Sequence, residues 1–217
     1  MVKARQRELA MVLIERYRRT YAEQAGIRLK NTPAPLFQLL NAALLLSARI
    51  PADNAVRAAR ALIDAGLTTP RSMAEASWQD RVDVITWHGY KRYDERTATM
   101  LGQTAEHLIE HYSGDLRKLR KQADRDVAAL QRLLQQFKGI GKVGADIFLR
   151  EAQNVWEEVY PYADERVSEA ARHLGLADTV QGLAGLVARP DFPRLVAGLV
   201  RVDLAGEHDA LMDAVRA

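Results

Sequence analysis

This 217-residue sequence predicts an all-α fold, on three observations. Apolar residues recur at helical spacing in nearly every segment, no stretch alternates apolar with polar residues as a half-buried strand does, and start and stop residues fall at the segment ends. At 48% apolar and 27% charged, the composition is that of an ordinary globular chain, too apolar for a disordered one and too mixed for a fibrous one. The length accommodates one large domain or two small ones, since domains cluster near roughly 100–150 residues.

The elements follow in order. Leu9, Val12, Leu13 and Tyr17 mark one face of a first helix. Pro33 and Pro35 punctuate the chain before LFQLLNAALLLSA, residues 36–48, which is apolar on most faces and is therefore expected at the centre of its domain. Helices are expected over 52–65, closed by Gly66; over 77–87, opened by Ser77 as N-cap; and over 93–112, closed near Gly114. Another is expected over 124–137 and, after Gly139 and Gly141, one over 143–155. Three or four shorter helices are expected beyond Asp164, with Leu174, Leu183, Leu186, Val187, Leu195, Leu199 and Val200 supplying apolar faces.

The absence of cysteine excludes a disulfide framework, a zinc–thiolate site, a cysteine nucleophile and a Cys-ligated iron–sulfur cluster. The N-terminal residues carry basic side chains interrupted by Glu8, Glu15 and Glu23, unlike a signal peptide, and no stretch approaches the roughly 18 apolar residues of a membrane span. A cytoplasmic protein is expected, nucleoid-associated in a bacterium. The net charge of +3 is unevenly spread: residues 1–150 hold 25 basic and 16 acidic side chains, or +9, and residues 151–217 hold 6 and 12, or −6. Within 115–142 stand Arg117, Lys118, Arg120, Lys121, Arg125, Arg132, Lys138 and Lys142 against Asp115, Asp124 and Asp126. Such a run is either a solvated helix face or a surface for a polyanion such as nucleic acid.

Residues 139–144, Gly-Ile-Gly-Lys-Val-Gly, satisfy G-x-G-x-x-G literally, and Asp164 lies 20 residues past the last glycine. The dinucleotide fingerprint needs a strand leading into the loop. Here the lead-in carries Val127, Leu130, Leu133, Leu134 and Phe137 at helical spacing, which rejects it. A Walker loop fails as well, because Val143 follows Lys142 where Ser or Thr would hold magnesium. What remains is a helix, a glycine hairpin and a second helix. Gly139 and Gly141 can adopt positive φ and have no Cβ to keep a ligand away from the backbone. The first-turn amides of the second helix, at the positive end of its dipole, can grip a phosphate, with Lys138 and Lys142 adding charge. Such a hairpin positions DNA without reading its bases; the plainer alternative is a glycine turn between two packed helices.

FKGIGKVGADIFLREA, then YADERVSEAARHLGL, preceded far upstream by LLLSARI, resembles the helix-hairpin-helix DNA glycosylase superfamily of endonuclease III. The resemblance runs over about residues 34–175 and includes GLTTPRSMAEA and WHGYKRY between the anchors. It implies an endonuclease III-like fold of two helical domains: a six-helix domain over 34–151 with the hairpin at 138–144, and a second formed by 1–33 with 152–217. DNA would bind across them, with the negative tail facing away. It implies DNA contacts from Lys138, Gly139, Gly141, Lys142 and Gly144, and a catalytic carboxylate at Asp164. As an anonymous residue, Asp164 reads as the N-cap of ERVSEAARHL, and the two parts are compatible, since the dipole keeps a capping carboxylate ionised.

The superfamily's lyase members carry a lysine two residues after the hairpin's second glycine; here that position is Val143, which cannot form a Schiff base. Lys142 is adjacent, but one residue turns a helical side chain by about 100°. A monofunctional enzyme with water as nucleophile is therefore expected. It is similar to the adenine-mismatch and methyl-CpG-binding-domain mismatch branches, the latter also through GIGK and the Trp156 to Asp164 spacing. The alternatives are a non-catalytic hairpin DNA-binding protein and a glycosylase-lyase using another lysine. Arg49 matches the position from which these enzymes push a side chain into the duplex to hold the base out. Trp87, Tyr90 and Tyr93 are candidate pocket or backbone contacts without an assigned role. The expected partner is double-stranded DNA with a damaged or mismatched base, bound by a monomer. No metal ligands and no cofactor are expected, although a monovalent cation at the hairpin is allowed; without cysteines, the chain fits a branch that lacks the cluster.

Overall fold

A computed structural model describes residues 2–87 and 94–214. Their regular elements are all helices, with no strand among the described residues, as an all-α chain requires. The chain forms two compact units, residues 1–20 with 160–217 and residues 21–159. The division falls at 20/21 and 159/160 rather than 33/34 and 151/152, and polar contacts give the reason. Buried Glu151 accepts the amides of Tyr21 and Ala22 at 2.9 and 3.3 Å, and Trp156 donates its indole N–H to Asn31 at 3.1 Å. Glu158 pairs with Arg120. Segments 21–33 and 152–159 are thereby tied to the helices between them.

The first unit contains α1 (Val2–Arg16) from the start of the chain. The second runs through α2 (Tyr21–Gln24), α3 (Pro33–Leu46), α4 (Ala52–Asp64), α5 (Pro70–Glu75), α6 (Trp78–Trp87), α7 (Asp94–Tyr112), α8 (Leu116–Gln122), α9 (Val127–Leu134) and α10 (Lys142–Ala152). A single 3₁₀ turn, Glu157–Val159, ends it. The first unit resumes with α11 (Glu165–His173), α12 (Val180–Ala184), α13 (Phe192–Ala205) and α14 (His208–Ala214). As its apolar run requires, α3 is central to its unit, packing on α4, α7, α8 and α10 with Leu36, Phe37, Leu40 and Leu45 fully buried. In the other unit α13 takes that part, packing on α1 and α11.

Several boundaries differ from the sequence expectation, each for a local reason. Pro33 opens α3 instead of preceding it, because proline is favoured at a first helical position. The helix expected over 124–137 starts only at Val127: Asp124 and Arg125 take left-handed φ of 48° and 63°, and Asp126 caps α9 by accepting the Ala128 amide. The short helices α5 and α8 were not expected. Each has a side-chain cap, Thr69 with Ser72 and Asp115 with Arg117, but only two buried residues, too few for a periodic signal. Ser77 does cap α6, its hydroxyl accepting the Asp80 amide at 3.1 Å while Asp80 accepts from the Ser77 amide at 3.0 Å. Tyr90, Tyr93 and the side chain of Trp87 lie outside the described residues.

The charge contrast along the chain is not a contrast between the units. Residues 21–159 hold 19 basic and 17 acidic side chains, and residues 1–20 with 160–217 hold 12 and 11. The basic N-terminal segment, with Lys3, Arg5, Arg7, Arg16, Arg18 and Arg19, shares a unit with the acidic C-terminal one and offsets it.

The basic run over 115–142 also divides. Arg120 forms a two-pronged pair with Glu158 at 2.5 and 2.5 Å and lies over the Trp156 ring, and Arg117 pairs with Asp115. The Glu158 side chain is only 5% exposed. Hydrogen bonds from Arg120 hold its carboxyl below the usual range although burial acts the other way. A carboxyl lowered on folding stabilises the fold fully above its unfolded pKa and loses that contribution as pH falls through the folded value. Arg120→Ala should therefore cost about 3 kcal/mol in urea unfolding at neutral pH, with the loss shrinking in acid as Glu158 takes up a proton. A variant as stable as the parent at neutral pH would contradict this.

Candidate nucleic-acid interface

The turn between α9 and α10 is built from alternating anchored and bare residues. Phe137 and Ile140 point inward, 1% and 2% exposed, and the Ile140 amide donates to the Phe137 carbonyl at 3.0 Å. Lys138, Gly139, Gly141, Lys142 and Val143 are exposed. Gly139 has φ +88°, and a Cβ there would stand 2.6 Å from Met100 Sδ on α7, so both conformation and space call for glycine. Gly141 is different. Its φ of −90° and ψ of −169° are open to other residues, and nothing lies within 4 Å of where its Cβ would be. As the N-cap of α10 it supplies no side chain to the helix's first turn, whose amides have no acceptors within the helix. The result is a bare helix N-terminus with lysines on either side of the cap. Gly144 is buried instead, where α10 packs on the end of α3: a Cβ there would make ordinary contacts with Ile140 at 3.4 Å and Ser47 at 3.6 Å.

Polar and aromatic contacts hold the turn from beneath. The Thr104 hydroxyl donates to the Lys138 carbonyl at 3.4 Å, and Gln131 donates to Asp146 at 2.5 Å, joining α9 to α10. Phe137 stacks on Tyr112 and meets His107 edge-on, with ring centroids 6.2 and 4.7 Å apart. Burial first, and the neighbouring His111 second, push His107 below its ordinary value, so the ring stays neutral beside Phe137 at neutral pH.

Two of the sequence-derived candidates meet at one cleft. Arg49, exposed just after α3, and Gly139 both line a cavity of about 390 Å³, together with Leu44, Ser47, Arg96 and Met100. Arg96 and Met100 have no linear signal. They stand about 40 residues before the hairpin, and only the packing of α7 brings them to it. Val143, where the resemblance puts a lysine in lyase enzymes, is 58% exposed in the first turn of α10. Asp164 lies in the other unit, half-buried, as the N-cap of α11, where its Oδ1 accepts the Val167 amide at 3.2 Å.

No family model matches the sequence, and a search of curated proteins gives no match. Solved structures do match. A non-covalent endonuclease III–DNA complex is similar at 17% identity and a TM-score of 0.55, covering 93% of this chain and 86% of that one. A trapped endonuclease III–DNA covalent intermediate, an estranged-adenine complex, is similar at 17% identity and a TM-score of 0.53 with the same coverage. The chain has an endonuclease III-like fold.

Within an endonuclease III-like fold the two hairpin glycines have separable duties. Gly139→Ala should destabilise the protein by about 1–3 kcal/mol, from strain at positive φ and the clash with Met100. Gly141→Ala should cost under about 1 kcal/mol, since only the cap preference changes. Equal losses for the two variants in urea unfolding would refute this division.

Proposed function

We propose that this chain is a monofunctional DNA glycosylase. It binds double-stranded DNA containing a damaged or mismatched base, flips the base out and hydrolyses its N-glycosidic bond. The observation that carries the reading is the bare N-terminus of α10, with Gly141 as a cap without a side chain, exposed Lys138 and Lys142 on either side of it, and Val143 in place of a lyase lysine. The two similar solved proteins were captured with DNA, which supports the same partner here.

In this reading the first-turn amides of α10 take a phosphate, and the helix dipole and the two lysines add attraction. Gly139 keeps the turn tight, and Gly144 lies where α10 packs on α3. Arg49, on the rim of the cleft beside Gly139, enters the duplex where the base has left, its planar guanidinium stacking on the neighbouring bases. Asp164 faces the positive charge that grows on the deoxyribose as the bond to the base breaks. It also orients water for attack at the same carbon, and the water's proton leaves to the carboxylate or to solvent. The products are the free base and an abasic site. No thiolate is available for an iron–sulfur cluster, and the chemistry of this reading does not need one.

Four outcomes test the proposal. On duplexes carrying uracil, thymine opposite guanine, alkylated bases or oxidised bases, at least one base should be released; silence across that panel would favour the reading as a non-catalytic DNA-binding protein. Asp164→Asn should abolish release, with duplex affinity within about threefold of the parent, because a carboxylate neutralises no phosphate and so adds nothing to the charge term of binding. Retained release would remove Asp164 from its role. Lys142→Ala should weaken binding on any sequence and reduce the slope of log K against log salt by about 1; an unchanged slope would argue against a phosphate contact. Borohydride should trap no covalent adduct on an abasic duplex, and an adduct would establish lyase chemistry from another lysine.

A further inference from the structure

We infer that His173, Asp203 and His208 form a binding site for one divalent transition-metal cation. One ligand atom from each lies within 4.8 Å of the other two. The three come from separate elements of one unit: the last residue of α11, the last turn of α13 and the first residue of α14. Their meeting depends on a backbone reversal. Gly206 takes φ +66°, the Gly206 amide donates to the Asp203 carbonyl at 3.2 Å and the Glu207 amide donates to the Val202 carbonyl at 3.1 Å, so the chain turns back and His208 returns to Asp203.

One polar atom of the cluster is buried and unsatisfied. His208 Nε2 is sealed from solvent and has no hydrogen-bond partner among the described residues, which is costly for a ring nitrogen. Asp203 Oδ1 lies 3.9 Å from it, too far for a hydrogen bond. With metal–ligand bonds of about 2.0–2.1 Å, the ligand atoms of a tetrahedral site stand about 3.4 Å apart, so a shift of about half an ångström seats both on one ion. The other oxygen of Asp203 is already occupied, accepting from Arg166 at 2.9 Å, which fixes the carboxylate and leaves Oδ1 toward the histidines. The His173 and His208 rings stand at 84° with centroids 5.2 Å apart, and His173 is exposed, leaving a coordination position for water.

Two imidazoles and one carboxylate form a donor set for zinc and its neighbours rather than for magnesium or calcium, which prefer oxygen. The cation would tie α11, α13 and α14 together, and α11 is the helix opened by Asp164. This inference does not rest on the proposed function.

The test uses full-length protein stripped with chelator and then dialysed. Zinc is titrated by calorimetry, and cobalt is used as a spectroscopic stand-in whose absorption reports four-coordinate geometry. The expected result is one equivalent bound and a Tm that rises with zinc concentration. His173→Ala, at an exposed position, should lose stoichiometric binding and the Tm rise while keeping the Tm of the metal-free parent; His208→Gln should lose binding too. A His107→Ala/His111→Ala double variant should bind as the parent does. The proposal is overturned by sub-stoichiometric binding, by binding that survives His173→Ala, or by binding that disappears with His107 and His111, since each would mean a plain His–Asp contact or a different metal site.

Discussion

The burial of α10 is the constraint on which the rest depends. Every residue from Gly144 to Ala152 in this helix is buried, including Asp146, Arg150 and Glu151. A buried charge is tolerated only with partners, and two of these have named ones: Asp146 accepts from Gln131 of α9, and Glu151 accepts from the amides that begin α2. These contacts fix the rotation of α10 about its axis as well as its position. The rotation decides which first-turn residues emerge, and Lys142 and Val143 are the exposed ones. A helix end that grips an anion must be held in place before the anion arrives, because ordering it on binding would consume the affinity gained. Here the shaft is anchored in the core and only the tip meets solvent.

That arrangement locates the attraction for a polyanion. Neither unit has a large net charge, so a strong global field is not the source. The cations that matter are those left over after internal pairing. Arg117 and Arg120, prominent in the sequence run, are committed to Asp115 and Glu158. Lys138 and Arg49 have no ion pair among the described residues, and both belong to the surface around the turn. The electrostatics are those of a small patch built around oriented amides, where position counts for more than total charge.

The sequence made the turn legible because its glycines answer to hard constraints. Gly139 must be glycine for φ and for Met100, and the helical spacing of Leu130, Leu134 and Phe137 ruled out a strand before it. The long helices were legible through apolar periodicity, and α3 through its uniform apolarity. The short ones were not: α5 and α8 are specified by caps and by tertiary packing, with two buried residues each. Long-range partners were equally hidden. Nothing near Arg96 or Met100 advertises the cleft they share with Arg49 and Gly139, and Asp203 and His208 acquire a meaning only once Gly206 folds the chain back. The charge split along the sequence does not carry over to the units, because α1 belongs with the C-terminal helices.

One nine-residue helix, α11, carries a candidate at each end: Asp164 as the N-cap and His173 as the last residue. Between them Val167, Ala170 and Ala171 are fully buried, which locks the helix by packing alone. A cation at the far end therefore cannot act on Asp164 through charge, since about 13 Å of helix separates the two ends at 1.5 Å per residue and such a distance exceeds the screening length in physiological salt. It can act only by limiting motion of the whole helix relative to α13 and α14. The capping bond from the Val167 amide then fixes the carboxylate's orientation locally, whatever occupies the histidine cluster. Orientation of the carboxylate and anchoring of its helix are thus separate physical tasks, assigned to opposite ends of α11.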